Sequence, residues 1–153
     1  MKDPMTQDLI AFSDLAAIQL LETEQYAEYR KITLSIKQPK AMPHGGRFDP
    51  EVLAALMVTY DLSLAQSPDG VAMGFRQRWS QQRGALFFPA AQAESISEAL
   101  DQARAILRAR LPEAADRAGA KMLEFMLAHG RSPEGARRHI AVFIHSVMDR
   151  IRK

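Results

Sequence analysis

Apolar residues recur at helical spacing through most of the chain, and start and stop signals divide it into about six helices. Leu9, Phe12, Ala16, Leu20 and Ala27 keep that spacing from Thr6 to about Arg30, with no proline or glycine to interrupt it. Residues 31–37, Lys-Ile-Thr-Leu-Ser-Ile-Lys, alternate strictly between polar and apolar, which is a strand pattern. Ile32 and Ile36 also stand four apart, so the segment serves equally as a helix, the reading adopted here. Gln38 to Phe48 holds Pro39, Pro43, Gly45 and Gly46 and reads as a loop.

Asp49-Pro50 is a sharp helix start, a carboxylate cap followed by a first-turn proline. The helix expected over residues 50–66 is apolar on nearly every side. Leu53, Leu56, Met57, Tyr60 and Leu64 form one stripe, and Ala55, Val58 and Leu62 lie opposite. A helix of that kind is buried on both sides, either at the centre of a bundle or against a second copy of the chain. Ser67-Pro68-Asp69 repeats the start signal and opens a helix through about Arg83. An apolar loop containing Leu86-Phe87-Phe88-Pro89 comes next. Ser95 and Glu98 form a capping box for a helix to about Arg110, which Pro112 breaks and restarts. The next helix ends at His129-Gly130, and Ser132-Pro133-Glu134 starts the last, with a stripe of Ala136, Ile140, Phe143, Ile144, Val147 and Ile151. The expectation is an all-α fold, a compact six-helix bundle forming one domain over residues 1–153.

Composition sets the outer bounds. A chain of 153 residues buries roughly 70% of its unfolded surface, enough to fold without a disulfide or a metal. It has no cysteine, which excludes disulfides, thiolate catalysis and iron–sulfur clusters. The start lacks the pattern of a secretory signal, and no apolar run is long enough to span a bilayer, so a cytoplasmic protein is expected. The net charge of +2 conceals blocks of opposite sign. Residues 1–29 and 49–69 are acidic. Residues 30–48 and 131–153 are basic. Such blocks pair within a fold or between copies, or steer a charged partner.

The candidate chemistry is sparse. His44, His129, His139 and His145 lack the spacing of a helical metal pair, and no metal or other cofactor is expected. His129 falls at a helix C-terminus, where an imidazole caps carbonyls. Phe75 to Arg83 interleaves Phe75 and Trp79 with Arg76, Arg78 and Arg83; as a nucleic-acid surface, the arginines take phosphates and a ring stacks on a base. Arg137 and Arg138 extend that set on the last helix, and the pair of C-terminal helices has the outline of a helix-turn-helix. Arg138, His139 and His145 together resemble the motif of HEPN-type ribonucleases. That resemblance implies an all-helical dimer in which arginine stabilises phosphate charge and histidine moves a proton.

The reading adopted is a non-enzymatic regulator or adaptor that acts through helix-mediated protein contact and self-associates. Its contact residues are Val58, Leu62, Phe87 and Phe88, and eight methionines suit adaptable surfaces. A nucleic-acid-binding protein using Arg76, Arg78, Arg83, Arg137 and Arg138 comes second, and a HEPN-like ribonuclease third.

Overall fold

The helix that begins at Asp49-Pro50 stops after ten residues, and a strand succeeds it directly. A computed structural model describes residues 4–22, 25–37, 49–78, 80 and 82–151. Three helices, α1 (Pro4–Leu21), α2 (Tyr26–Lys37) and α3 (Pro50–Thr59), lead into three strands, β1 (Tyr60–Ser67), β2 (Gly70–Gln77) and β3 (Arg83–Pro89). A 3-10 turn at Ala90–Gln92 opens onto α4 (Ala93–Ala128), and α5 (Pro133–Ile151) ends the fold. The strands form one antiparallel sheet in the order β1-β2-β3. The all-α expectation is therefore wrong: the fold is mixed, with five helices and a three-stranded antiparallel sheet among the described residues.

The expected helix over 50–66 is half right. Val52 to Leu56 and Val58 are buried on every side, and α3 packs against α1, α2 and α4 within a single chain. Asp49 starts it by accepting from the Glu51 amide at 2.9 Å. Arg78 ends it. Its backbone N–H donates to the Thr59 carbonyl, Nε to Val58 at 2.8 Å, and Nη2 to Met57. Three successive terminal carbonyls thus find partners on one residue, and Tyr60 leaves in extended conformation. From there Tyr60, Leu62 and Leu64 alternate with Asp61, Ser63 and Ala65, the period of a strand.

The segment expected as a third helix is the hairpin β1–β2. Ser67-Pro68-Asp69-Gly70 makes its turn, with proline and glycine in the positions a β-turn favours and Ser67 Oγ donating to the Gly70 carbonyl. A Cβ on Gly70 would collide with the Phe88 carbonyl, so the turn needs glycine. Val71, Met73 and Phe75 face the core beside Leu86 and Phe88, so the apolar "loop" around Leu86 is a core strand. The similar Ser132-Pro133-Glu134-Gly135 does start a helix, where the Gly135 amide donates to Ser132 Oγ at 3.2 Å.

Two further breaks differ from expectation. α1 ends at Leu21 and α2 starts at Tyr26, with Glu22 at φ 36° between them. Arginines from α4 hold this turn. Arg110 donates to the Leu20 carbonyl and pairs with Glu51 at 2.6 Å, and Arg117 bonds Gln19 and Glu22. Conversely, α4 runs through Pro112 unbroken for 36 residues. Pro112 sits on the exposed side, so the carbonyl it leaves unpaired faces water. Residues 31–37 are helical, with Ile32 and Ile36 both in the core. Gly119 brings Phe12 of α1 and Ile140 of α5 together over α4, and Phe12 meets Phe143 edge-on at 4.5 Å. The loop at 38–48, His44, Trp79 and the side chains of Leu9, Val147 and Ile151 lie outside the described residues.

Arg78→Met should destabilise the protein by roughly 2–4 kcal/mol in urea unfolding, because it strips two buried carbonyls of their side-chain donor and leaves Asp61 one donor fewer. Arg78→Lys should recover only a small part of this, since one ammonium cannot span the fork. A loss under about 0.5 kcal/mol for the methionine variant would contradict the capping role.

Candidate functional site

The three tyrosines of the chain, Tyr26, Tyr29 and Tyr60, converge on one cavity of about 130 Å³. The site lies where the helical layer meets the sheet. Asp14 and Ile18 come from α1, Tyr26, Tyr29, Arg30 and Thr33 from α2, Thr59 from the end of α3, Tyr60 from β1 and Gln77 from β2. On α2 the spacing of 26, 29, 30 and 33 puts these residues on one helix face. Thr59 and Tyr60 arrive because α3 stops there.

The floor is buried and polar. Tyr29 and Thr59, both under 5% exposed, share a hydrogen bond of 3.3 Å between their hydroxyls. Thr33 is buried beside them, its hydroxyl donating to the Arg30 carbonyl at 2.9 Å. Tyr60 is equally buried, packs edge-on against Phe75 at 6.1 Å, and its hydroxyl makes no hydrogen bond among the described residues. The rim carries Asp14, Arg30 and the Tyr26 ring, which lies nearly parallel to Tyr29 at 6.2 Å. Burial pushes both the Tyr29 and Tyr60 hydroxyls above the ordinary phenol range, and the Asp14 carboxylate adds to this. The Thr59 hydrogen bond opposes the shift at Tyr29, and the Arg30 cation opposes it at Tyr60. The cavity therefore presents neutral hydroxyls at any physiological pH.

A second cluster lies on the outer face of the sheet. Arg76 and Arg83 stand directly opposite each other across β2 and β3, and Asp61 lies opposite Arg76 on β1. Arg76 pairs with Asp61 at 3.1 Å, while Arg83 forms no ion pair among the described residues. With Ser63 and Gly74 they line a shallow depression of about 360 Å³, and Phe87 is 50% exposed farther along β3.

The expected contact residues do not gather on one surface. Val58 and Phe88 are core, Leu62 is half-buried on the core side of β1, and Phe87 alone of the four is exposed. Of the arginines, Arg76 and Arg83 come together, whereas the Arg78 side chain is 8% exposed and bonded to α3 and Asp61. Arg137 and Arg138 are exposed on α5, which packs on α4 and α1 rather than on the sheet. For the ribonuclease resemblance, Arg138 is exposed and His145 pairs with Asp149 at 3.5 Å, but His139 is buried with Arg131 against Nδ1. The sheet also removes the all-helical scaffold that the resemblance implied. His129 caps α4, its Nδ1 lying 2.8 Å from the Phe125 carbonyl and its ring stacked on Phe125.

Nothing in the sequence pattern singles out the tyrosine cavity. Its one local signal is the row of Tyr26, Tyr29, Arg30 and Thr33 on one helix face; Asp14, Thr59 and Tyr60 join it only through the fold. Compared with known proteins, the chain matches no protein-family model, no curated protein and no solved structure.

The raised hydroxyls set the pH dependence of stability. A proton held more tightly in the folded state stabilises it fully below the unfolded phenol range, near pH 10, and that contribution is lost as pH rises above it. Stability should therefore fall above about pH 10, with tyrosinate absorbance appearing together with unfolding. Tyr29→Phe should flatten this fall. Normal phenolate titration of Tyr29 and Tyr60 in the folded protein would contradict their burial.

Proposed function

We infer that this chain is a non-enzymatic regulator or adaptor that works by protein contact and self-associates through the edge of β1. A cytoplasmic site of action is part of that reading; no described helix is long and apolar enough to cross a membrane. The observation that carries it is the state of that edge. β1 is an outer strand, and among the described elements its main packing partners are β2 and the adjoining α3. On the other side of the sheet, α2 packs on the inner face of β3 so closely that the Ile36 backbone sits against Gly84.

Edge strands of monomeric proteins are normally blunted by charge, proline, a bulge or a cover. β1 has none of these after Asp61. Leu62 to Ser67 is uncharged, pairs with β2 without a bulge, and is exposed from Ser63 onward, with Leu64 45% exposed. A two-fold axis brings two such edges together antiparallel, the arrangement β1 already makes with β2. The product is one continuous six-stranded sheet.

A second reading, nucleic-acid binding, is favoured by the opposed Arg76 and Arg83 on the outer face with Phe87 beyond them. Arginines at a phosphate backbone and an exposed ring suit a single strand laid across a sheet. Retention on heparin that falls steeply with salt and is lost in Arg76→Gln/Arg83→Gln supports it; no binding at low salt removes it.

For the principal reading, light scattering should give a dimer mass. Leu64→Lys should give a monomer with an unchanged helical circular-dichroism spectrum, because the new charge would face its copy across the seam. A monomeric wild type, or a dimer that survives the substitution, would rule out the β1 seam.

A further inference from the structure

We propose that the tyrosine-lined cavity binds a small zwitterion, a ligand of α-amino-acid size carrying one ammonium and one carboxylate. This site is separate from the β1 edge, and neither reading depends on the other. Four observations carry it.

The first is charge. The rim bears one cation, Arg30, and one anion, Asp14. Arg30 makes no ion pair or hydrogen bond through its side chain among the described residues, so its planar fork is available to a carboxylate. Asp14 has several acceptor positions, enough to take an ammonium beside any contact it already makes. A plain anion would meet Asp14 and a plain cation would meet Arg30. A ligand holding both charges satisfies the rim without either repulsion.

The second is the floor. Tyr29, Thr33, Thr59 and Tyr60 are buried, yet their hydroxyls line an open space instead of an apolar core. The Tyr60 hydroxyl has no hydrogen-bond partner among the described residues, although its residue is 4% exposed. That hydroxyl opens onto the cavity, where it is free to bond a water or a polar ligand. An apolar ligand would leave it unpaired.

The third is the aromatic wall. The Tyr26 ring on the rim lies nearly parallel to the buried Tyr29 ring, and an ammonium near its face gains cation–π attraction. The fourth is size. About 130 Å³ holds a molecule, or part of one, of roughly five to ten heavy atoms, which is the range of small amino acids.

The test uses glycine, L-alanine and L-serine as probes, with acetate and methylammonium as single-charge controls at matched ionic strength. Each is titrated from about 0.1 to 10 mM against the full chain, read by thermal shift and calorimetry. At least one zwitterion should raise Tm saturably while both controls leave it unchanged. Arg30→Gln, on the exposed rim where folding is unaffected, should weaken binding at least about tenfold. Tyr60→Phe should weaken it too. Three results overturn the proposal: no saturable response to any of the three zwitterions, an equal response to acetate, or binding that survives Arg30→Gln undiminished.

Discussion

Three carbonyls at the end of α3, those of Met57, Val58 and Thr59, depend on one arginine. Arg78 reaches them with its backbone N–H and its guanidinium, and the same guanidinium holds Asp61 at 3.1 Å. A helix end buried without partners is untenable, because each lost hydrogen bond there costs about 1–3 kcal/mol. With Arg78 in place the helix can stop inside the protein and the chain can turn at once into a strand. β1 then pairs with the strand that delivers Arg78, so the helix stop and the sheet support each other. The same switch sets Thr59 and Tyr60 side by side in the cavity floor.

The device recurs. Arg110 and Arg117 stand seven apart on α4, two turns along one face, and both reach the end of α1 through Leu20, Gln19 and Glu22. Guanidinium groups suit helix C-termini because the terminal carbonyls carry the negative end of the dipole. Arginine-rich sequence thus has two readings, a surface for an anionic partner or a set of internal caps. Arg78 belongs to the second kind, whereas Arg83, five residues on in the same segment, is exposed and forms no ion pair among the described residues. Nothing local separates them. The difference is whether a helix end lies within reach.

The same division governs how much of the fold was legible in the sequence. Local chemistry fixed Asp49 as a cap, the start of α5, the stripe of Ala136, Ile140 and Phe143, and the all-round burial of Val52 to Leu56. The sheet was missed because helical and strand periods overlap in short runs. Tyr60 and Leu64 are four apart and continue the stripe of α3, yet with Leu62 they are also every second residue. Ser-Pro-Asp-Gly is a helix start or a hairpin turn according to the period of the residues after it. Val71, Met73 and Phe75 at every second position were the clue that Ser67 opened a turn. Pro112 misled in the opposite direction, since a proline on a wet face does not end a long helix. The cavity was out of reach because Thr59 lies thirty residues beyond Tyr29, and it and Tyr60 join the α2 face only after α3 stops.

The most direct measurement is native-state hydrogen exchange of α3. If its burial and its Arg78 clasp organise the fold, amides from Leu53 to Tyr60 should exchange only through global unfolding and rank with those of β2 as the slowest in the protein. Exchange of α3 by local opening, faster than the amides of α5, would contradict the account.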